Sequence, residues 1–318
     1  MGSSRLDLML QPACRSAALF FVLLFLGLCL TAHNAVAKPQ VLASIKPLAL
    51  IAQEVAGDLA QVDTLLPVTA SAHDYPLRVS DHRRLQDADL VLWVGEELES
   101  FLARPLAKLP AHKVMTSYQL EALFWPEPHE HDHQHTSQDK HQHAARDPHI
   151  WLDPRNAALI ARELARRLGE LEPAAAAQFT NNAKRFSDSL AALDAQLTEQ
   201  LAPVKELGFA VYHEGYGHFV SHYGLHQLAY FTLVPERRPG AKHLQELRSV
   251  LAREGVCLFL EPYHNTQSLE EMAHKLRLKL GWLDAIGTEE ISSYQLLMKN
   301  LGQSFLTCLT DTTLSTGR

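Results

Sequence analysis

The stretch DLVLWV at residues 89–94 decides the fold class. It is a near-continuous apolar run of strand length, and such a strand is typical of a sheet that is covered on both faces. Short apolar runs and helical periods alternate around it. The runs lie at 41–45, at 61–66 and from residue 114, and the helical segments at 48–56, 80–87 and 97–108. This alternation predicts a mainly parallel sheet flanked by helices.

The alternation resumes after Pro203. Strands are predicted at 208–212, 227–233, 256–260 and 282–286, and helices at 242–254, 267–279 and 294–309. Between the two halves, apolar residues three or four positions apart form one helical stripe. They are Phe179, Ala183, Phe186, Leu190, Leu193, Leu197 and Leu201. We therefore predict an α/β protein in which a long rigid connecting helix at 173–203 joins two α/β lobes with mainly parallel sheets, at 38–172 and 204–318.

Residues 1–37 have the features of a cleavable signal peptide. Arg5 and Arg15 precede an apolar run at 17–30, and Ala35-Val36-Ala37 supplies small residues at a cleavage site. A membrane anchor is the alternative, but the run is shorter than the roughly 20 residues that a span needs. We therefore expect the chain to be exported.

Cleavage at this site would leave two cysteines in the mature chain, Cys257 and Cys308. In an exported protein, two cysteines are most simply one disulfide. A metal site that contains cysteine is the alternative, although neither residue has a second cysteine nearby in the sequence.

The charge of the chain limits its partners. The formal net charge is -7, and a nucleic-acid or anionic-membrane surface would require a basic patch instead. We expect neither partner. The fractions of hydrophobic residues (47%) and charged residues (20%) are those of a globular protein.

A histidine-rich tract lies in the middle of the chain, at residues 129–143. Its histidines are His129, His131, His133, His135, His141 and His143. Flexible imidazoles interleaved with acidic residues predict a weak accessory site that collects several metal ions, because ordering such ligands costs entropy. A solvated loop without a role is the alternative.

Four polar residues are predicted to meet at the carboxyl edges of the two sheets, where open α/β folds bind ligands. His73 and His149 lie in loops of the first lobe, and His149 stands in a restrained segment between Pro148 and Pro154. His213 and Asp284 are expected at strand ends of the second lobe, with Glu261 as a further candidate. Three imidazoles and a carboxylate suit Zn²⁺ at four-coordination, held between the lobes.

The other histidines and the tryptophans are given ordinary interpretations. We expect Trp93 and Trp282 in the core, and His243 and His264 at the surface. We expect partly exposed side chains at His218, His222 and His226. The alternative is that these three flank a site, because His218 and His222 share a helical face.

Six blocks in this order resemble a known family over nearly the whole mature chain. They are SIKPLALIAQEVAG, HDYPLRVSDHRRLQDADLVLWVG, DPHIWLDP, VYHEGYGHF, FLEPYHN and GWLDAIG. Together they resemble the periplasmic zinc-binding components of bacterial ABC importers, the ZnuA-like branch of the metal solute-binding proteins. In this branch a charged, histidine-rich loop also precedes the DPH block.

The resemblance implies a monomeric carrier rather than an enzyme. It implies that Zn²⁺ is bound by His73, His149 and His213 and passed to a membrane permease of an ABC transporter. It also places a disulfide at Cys257 and Cys308. Histidine at the third position, where manganese-binding relatives tend to carry a carboxylate, favours zinc over manganese.

One position departs from the family pattern. Ala72 replaces a glutamate that often precedes the first histidine in zinc-binding relatives, so the fourth ligand is left to water or Asp284. Glu214, beside His213, is expected to support that histidine rather than bind metal. Two other functions stay open at this point: an exported zinc hydrolase with Glu214 or Glu261 as base, and a carrier of manganese.

Overall fold

The computed structural model describes residues 38–126 and 146–310. The predicted signal peptide at 1–37 and the histidine-rich tract at 129–143 lie outside these ranges. In the described ranges, no helix combines the length and the apolar character needed to cross a membrane.

The first lobe contains a four-stranded parallel sheet in the order β2-β1-β3-β4. Its strands are β1 Gln40–Ala43, β2 Gln61–Thr64, β3 Leu90–Trp93 and β4 Val114–Thr116, and its helices are α1 Lys46–Ala56, α2 Val79–Asp87 and α3 Ser100–Leu106. β3 comes from the DLVLWV stretch and is buried along its whole length. The predicted parallel sheet covered by helices is confirmed.

Two long helices follow the described part of the first lobe. They are α4 Pro154–Leu171 and α5 Ala176–Leu201. All seven apolar residues of the predicted stripe on α5 are buried, and each large side chain among them stabilises the fold by about 1.5–3 kcal/mol. α4 and α5 pack against each other and both contact α1, so the long helix belongs to the core of the protein.

The second lobe has a second parallel sheet with the equivalent strand order, β6-β5-β7-β8. The strands are β5 Gly208–His213, β6 Gln227–Thr232, β7 Gly255–Leu260 and β8 Lys279–Trp282. The helices are α6 Gly217–Tyr223, α7 Ala241–Glu254, α8 Gln267–Leu276 and α9 Tyr294–Thr310. A disulfide joins Cys257 on β7 to Cys308 on α9, which confirms the expected pair.

The last predicted strand was placed too late in the sequence. Arg277 has a left-handed φ of 59° and ends α8, and β8 begins at Lys279 rather than at Trp282. Asp284 therefore lies in the loop after the strand. Trp282 is 53% exposed, so the prediction of a core tryptophan at this position was wrong. Among the described residues β8 is an edge strand, with a neighbouring strand on one side only.

Candidate metal centre

Three histidines meet between the carboxyl edges of the two sheets. His73 lies in the loop after β2, His149 directly precedes the short 3-10 turn Ile150–Leu152, and His213 is the last residue of β5. Each offers one ring nitrogen, and these three atoms lie within 4.8 Å of one another. Among the described residues, the group of potential metal ligands that the structure brings together consists of His73, His149 and His213.

The ring of His149 is held by the carboxylate two residues before it. Asp147 Oδ1 lies 2.7 Å from His149 Nδ1 and also accepts the backbone N–H of His149 at 3.0 Å. Because a carboxylate accepts, Nδ1 carries the proton and the lone pair of Nε2 is free for a metal. The sequence interpretation missed Asp147, although its place in the DPH block was a usable signal.

The ring of His213 is held by a carboxylate from the neighbouring strand. Glu261, directly after β7, places Oε1 2.5 Å from His213 Nδ1. Again the Nε2 lone pair is left to face the centre. Glu261 had been a candidate ligand, and the structure places it as the acceptor of the proton on His213.

The two Nε2 atoms face each other. His213 Nε2 lies 3.2 Å from His149 Nε2. Zinc–nitrogen bonds of about 2.0–2.1 Å in a tetrahedral site put two ligand nitrogens about 3.3–3.4 Å apart. The observed spacing is therefore close to one edge of a tetrahedral zinc site.

Burial and mutual repulsion favour neutral imidazoles at two of the three positions. Burial, together with the nearby rings of His149 and His213, lowers the pKa of His73 to about 2. Burial also lowers the pKa of His149, against the opposing effect of Asp147. At His213 burial opposes the charge as well, but Glu261 is strong enough that the pKa is raised.

Asp147 remains ionised in this setting. Burial acts to raise its pKa, but the charge and hydrogen bonds of His149 outweigh that effect and lower the pKa to about 2. The site therefore contains a partly buried carboxylate that offsets part of the charge of a bound cation.

His73 has a weaker support. Its backbone N–H donates to Ser71 Oγ at 3.1 Å, and in the described residues no carboxylate bonds to its ring. The preceding Ala72 is buried. His73 is therefore the ligand candidate that the surrounding structure fixes least.

Asp284 lines the same cavity as the three histidines. Its Oδ1 accepts the backbone N–H groups of Ile286 and Gly287 at 2.9 and 2.8 Å, and it is not part of the cluster of ligand atoms. Asp284 as the fourth ligand stays a prediction. The six histidines of the tract lie outside the described residues.

Glu214 bonds away from the histidines. Its Oε2 accepts from Gln227 Nε2 at 2.9 Å, and burial raises its pKa to about 7. The supporting role beside His213 that was expected for Glu214 is filled by Glu261.

Contacts between the lobes hold the segment that carries His149. Trp151 Nε1 donates to the carbonyl of Ala285 at 2.9 Å, and the Tyr294 hydroxyl donates to the carbonyl of Trp151 at 2.6 Å. All three residues are buried. The position of His149 in the first lobe is therefore set partly by the second lobe.

The protein has two parallel sheets linked by long helices, and three histidines meet between the edges of these sheets. These features define the class of metal-binding proteins that consist of two α/β lobes. A family model described as "Zinc-uptake complex component A periplasmic" matches residues 41–308. The chain belongs to this family, and the resemblance seen in the sequence blocks is confirmed.

Relatives and solved structures agree with this assignment. The chain is 35% identical over 292 residues to "High-affinity zinc uptake system protein ZnuA" of Yersinia pestis, a match that covers 86% of this chain and 92% of the relative. The protein of the same name from Haemophilus ducreyi is 34% identical over 303 residues, 90% of this chain and 98% of the relative. A structure described as "Crystal structure of ZnuA" has the same fold, with a TM-score of 0.73 at 24% identity, covering 86% of this chain and 100% of the other.

Proposed function

We propose that the protein is a periplasmic carrier that binds Zn²⁺ between its lobes through His73, His149 and His213 and delivers it to the membrane permease of an ABC importer. The observation that carries the proposal is the pair of Nε2 atoms 3.2 Å apart, each in a ring whose Nδ1 is held by a carboxylate. The relatives named as high-affinity zinc uptake proteins support this function.

The arrangement supports a carrier better than a hydrolase. The hydrolase alternative requires Glu214 or Glu261 as a base that is free to act on a metal-bound water. Glu261 is bonded to His213, and Glu214 is bonded to Gln227. The set of imidazoles also suits zinc better than manganese, which prefers carboxylate and water oxygens.

The remaining sequence predictions form part of the same proposal. The chain acts as a monomer, residues 1–37 are removed on export, and the functional units are 38–172, the connecting helix 173–203, and 204–318. Asp284 or water completes the coordination. The six histidines of the tract bind further zinc weakly, so deletion of residues 130–143 leaves one tight site and removes the weak ones.

Isothermal titration with Zn²⁺ tests the central proposal. We expect one tight site in the wild-type protein. His149→Ala removes one of three imidazole ligands and should weaken that site by on the order of 100-fold or more. His112→Ala is a matched control, because His112 lies in the same lobe, outside the cluster. Tight binding that survives His149→Ala would refute the site, and equal affinity for Mn²⁺ would refute the cargo.

A further inference from the structure

His218 on α6 is a buried histidine that lies outside the metal cluster. Its side chain had been expected to be partly exposed, but the residue is only 2% exposed. From the second lobe it contacts two described segments of the first, one before the histidine-rich tract and one after it. The sequence offered no signal for these contacts, because they join residues about 60 to 90 positions apart.

The hydrogen bonds around His218 fix which of its ring nitrogens is the donor. Its Nε2 lies 3.0 Å from the backbone carbonyl of Asp147, and a carbonyl can only accept, so Nε2 carries the proton. Its Nδ1 lies 3.4 Å from Asn156 Nδ2. The amide of Asn156 is itself oriented by Phe124, whose N–H it accepts at 2.8 Å and to whose carbonyl it donates at 3.0 Å. His218 therefore has an Nε2 donor that is fixed on the carbonyl of Asp147.

The ring of His218 also contacts the segment before the tract. Trp125 packs against it with ring centroids 5.7 Å apart. Arg146, in the described segment after the tract, places its guanidinium carbon 4.9 Å from the centre of the Trp125 ring. Trp125 and Arg146, which lie in the described segments before and after the tract, thus contact each other beside His218.

Gly217 adds an independent steric constraint at the same place. A Cβ atom at this position would lie 2.7 Å from Asp147 Oδ2 and 3.7 Å from Pro126 Cγ. The absence of a side chain on Gly217 is what lets the carboxylate of Asp147 sit against α6. From there its other oxygen holds His149.

We propose that His218 is a positioning residue for metal binding: by donating from Nε2 to the carbonyl of Asp147, it holds the Asp147 carboxylate in the place from which it orients His149. This inference rests on the proposed function, in which His149 is a zinc ligand. His218 acts through Asp147 and does not itself touch the metal. Its ring also contacts Trp125 of the first lobe.

The test compares three variants in the full mature chain. His218→Phe keeps a ring against Trp125 but removes the donor. His218→Gln places an amide N–H near the position of Nε2 and loses the ring. His243→Phe is a matched control, because His243 Nε2 also lies 2.9 Å from a backbone carbonyl, that of Tyr230, beside an aromatic ring but away from the cluster.

Zinc affinity is measured by competition with a chelator, and the Co²⁺-loaded protein is examined by visible absorption. We expect His218→Phe to weaken zinc about 10-fold and to change the cobalt spectrum, as loss of a group that orients a ligand does. His218→Gln should recover most of the affinity, and His243→Phe should leave it unchanged. Gly217→Ala should also weaken zinc while keeping His218, which covers the case that His218→Phe does not fold.

Three results separate the possible failures. Unchanged affinity and an unchanged cobalt spectrum in His218→Phe would overturn the positioning role. Zinc affinity no higher in His218→Gln than in His218→Phe would show that an N–H donor at this position does not support the site, and would overturn the role as well. A wild-type protein that binds no zinc would refute the proposed function itself, and with it this inference.

Discussion

The two lobes share one strand order but hold their histidines in different ways. In the second lobe, His213 ends a buried strand and is supported by Glu261 from the adjacent strand. In the first lobe, both His73 and His149 lie in loops, and His149 is supported by Asp147 only two residues away. The second lobe therefore presents its ligand from a sheet, whereas the first lobe depends on local turns and on contacts with the other lobe.

The hydrophobic cores of the two lobes also differ. One large core joins the first sheet, the long helices and one face of the second sheet, and a smaller core fills the space between the other face and helices α7 and α8. The first lobe thus shares its core with the connecting helices. The second lobe also has a layer of its own, whereas its disulfide lies in the large core.

Removal of the disulfide should show whether the stability of the second lobe is separate from the metal site. Cys257→Ser with Cys308→Ser opens a link across 51 residues, and the loop-entropy relation predicts a loss of about 4 kcal/mol in the free energy of unfolding. Urea unfolding of the metal-free protein measures it. We expect zinc affinity at 25 °C to stay within about twofold of wild type, because the folded ligands are unchanged. A large loss of affinity would show that the disulfide shapes the site.

The two lobes also differ in how their buried carboxyl groups are paired. Glu261 is paired with His213, but Glu99 in the first lobe has no ion-pair partner in the described part of the chain and accepts the Val94 N–H at 2.8 Å. Burial raises the pKa of Glu99 from 4.5 to about 7. The folded protein therefore binds more protons than the unfolded chain between these values, and stability falls as the pH rises through them.

Glu99→Gln should remove this pH dependence. The raised pKa corresponds to a destabilisation on the order of 3 kcal/mol above pH 7 that is absent below pH 4.5. The variant should therefore be more stable than wild type at pH 8 and similar to it at pH 4.5, as measured by urea unfolding of the metal-free protein. The exposed Glu96 in the same segment supplies the control, Glu96→Gln. If Glu99→Gln changed the free energy of unfolding equally at both pH values, the result would contradict an ionised Glu99 in the folded protein at pH 8.

The two carboxylates that hold ligand rings should have similar effects on zinc, although they differ in origin. Glu261→Gln and Asp147→Asn each remove the charge behind one imidazole, and each should weaken zinc by about 10- to 100-fold. Glu206→Gln is a suitable control, since Glu206 is exposed in the second lobe. If only one of the two variants weakened zinc, the carboxylate in the other lobe would not contribute to the affinity.

The sequence predicted most of the fold because its signals are local. The buried run at 89–94 and the stripe on the long helix each depend on neighbours within a few residues, and both are confirmed. Residues at the carboxyl ends of parallel strands must share one edge, so the meeting of His73, His149 and His213 could also be expected. The boundaries around Arg277 could not, because a left-handed residue at that point has no strong composition signal.

Most of the residues that hold the ligand side chains in place could not be predicted from the sequence. Glu261 contacts His213 across 48 residues, and His218 contacts the carbonyl of Asp147 across 71. Such pairs depend on how helices and strands pack, which periodicity does not encode. Asp147 was the exception, since the turn of the DPH block places its carboxylate beside His149 through a contact of only two residues.

The smallest expected effect concerns the least supported ligand, His73. Ser71→Ala removes the hydroxyl that accepts the backbone N–H of His73, and a hydrogen bond of this kind contributes about 0.5–1 kcal/mol. Zinc affinity should therefore fall about two- to fivefold, well below the effect of Glu261→Gln, with exposed Ser80→Ala as control. Competition titration resolves this difference. A loss as large as that of Glu261→Gln would mean that the first lobe fixes His73 as firmly as the second lobe fixes His213, and that the two lobes present their ligands with equal rigidity.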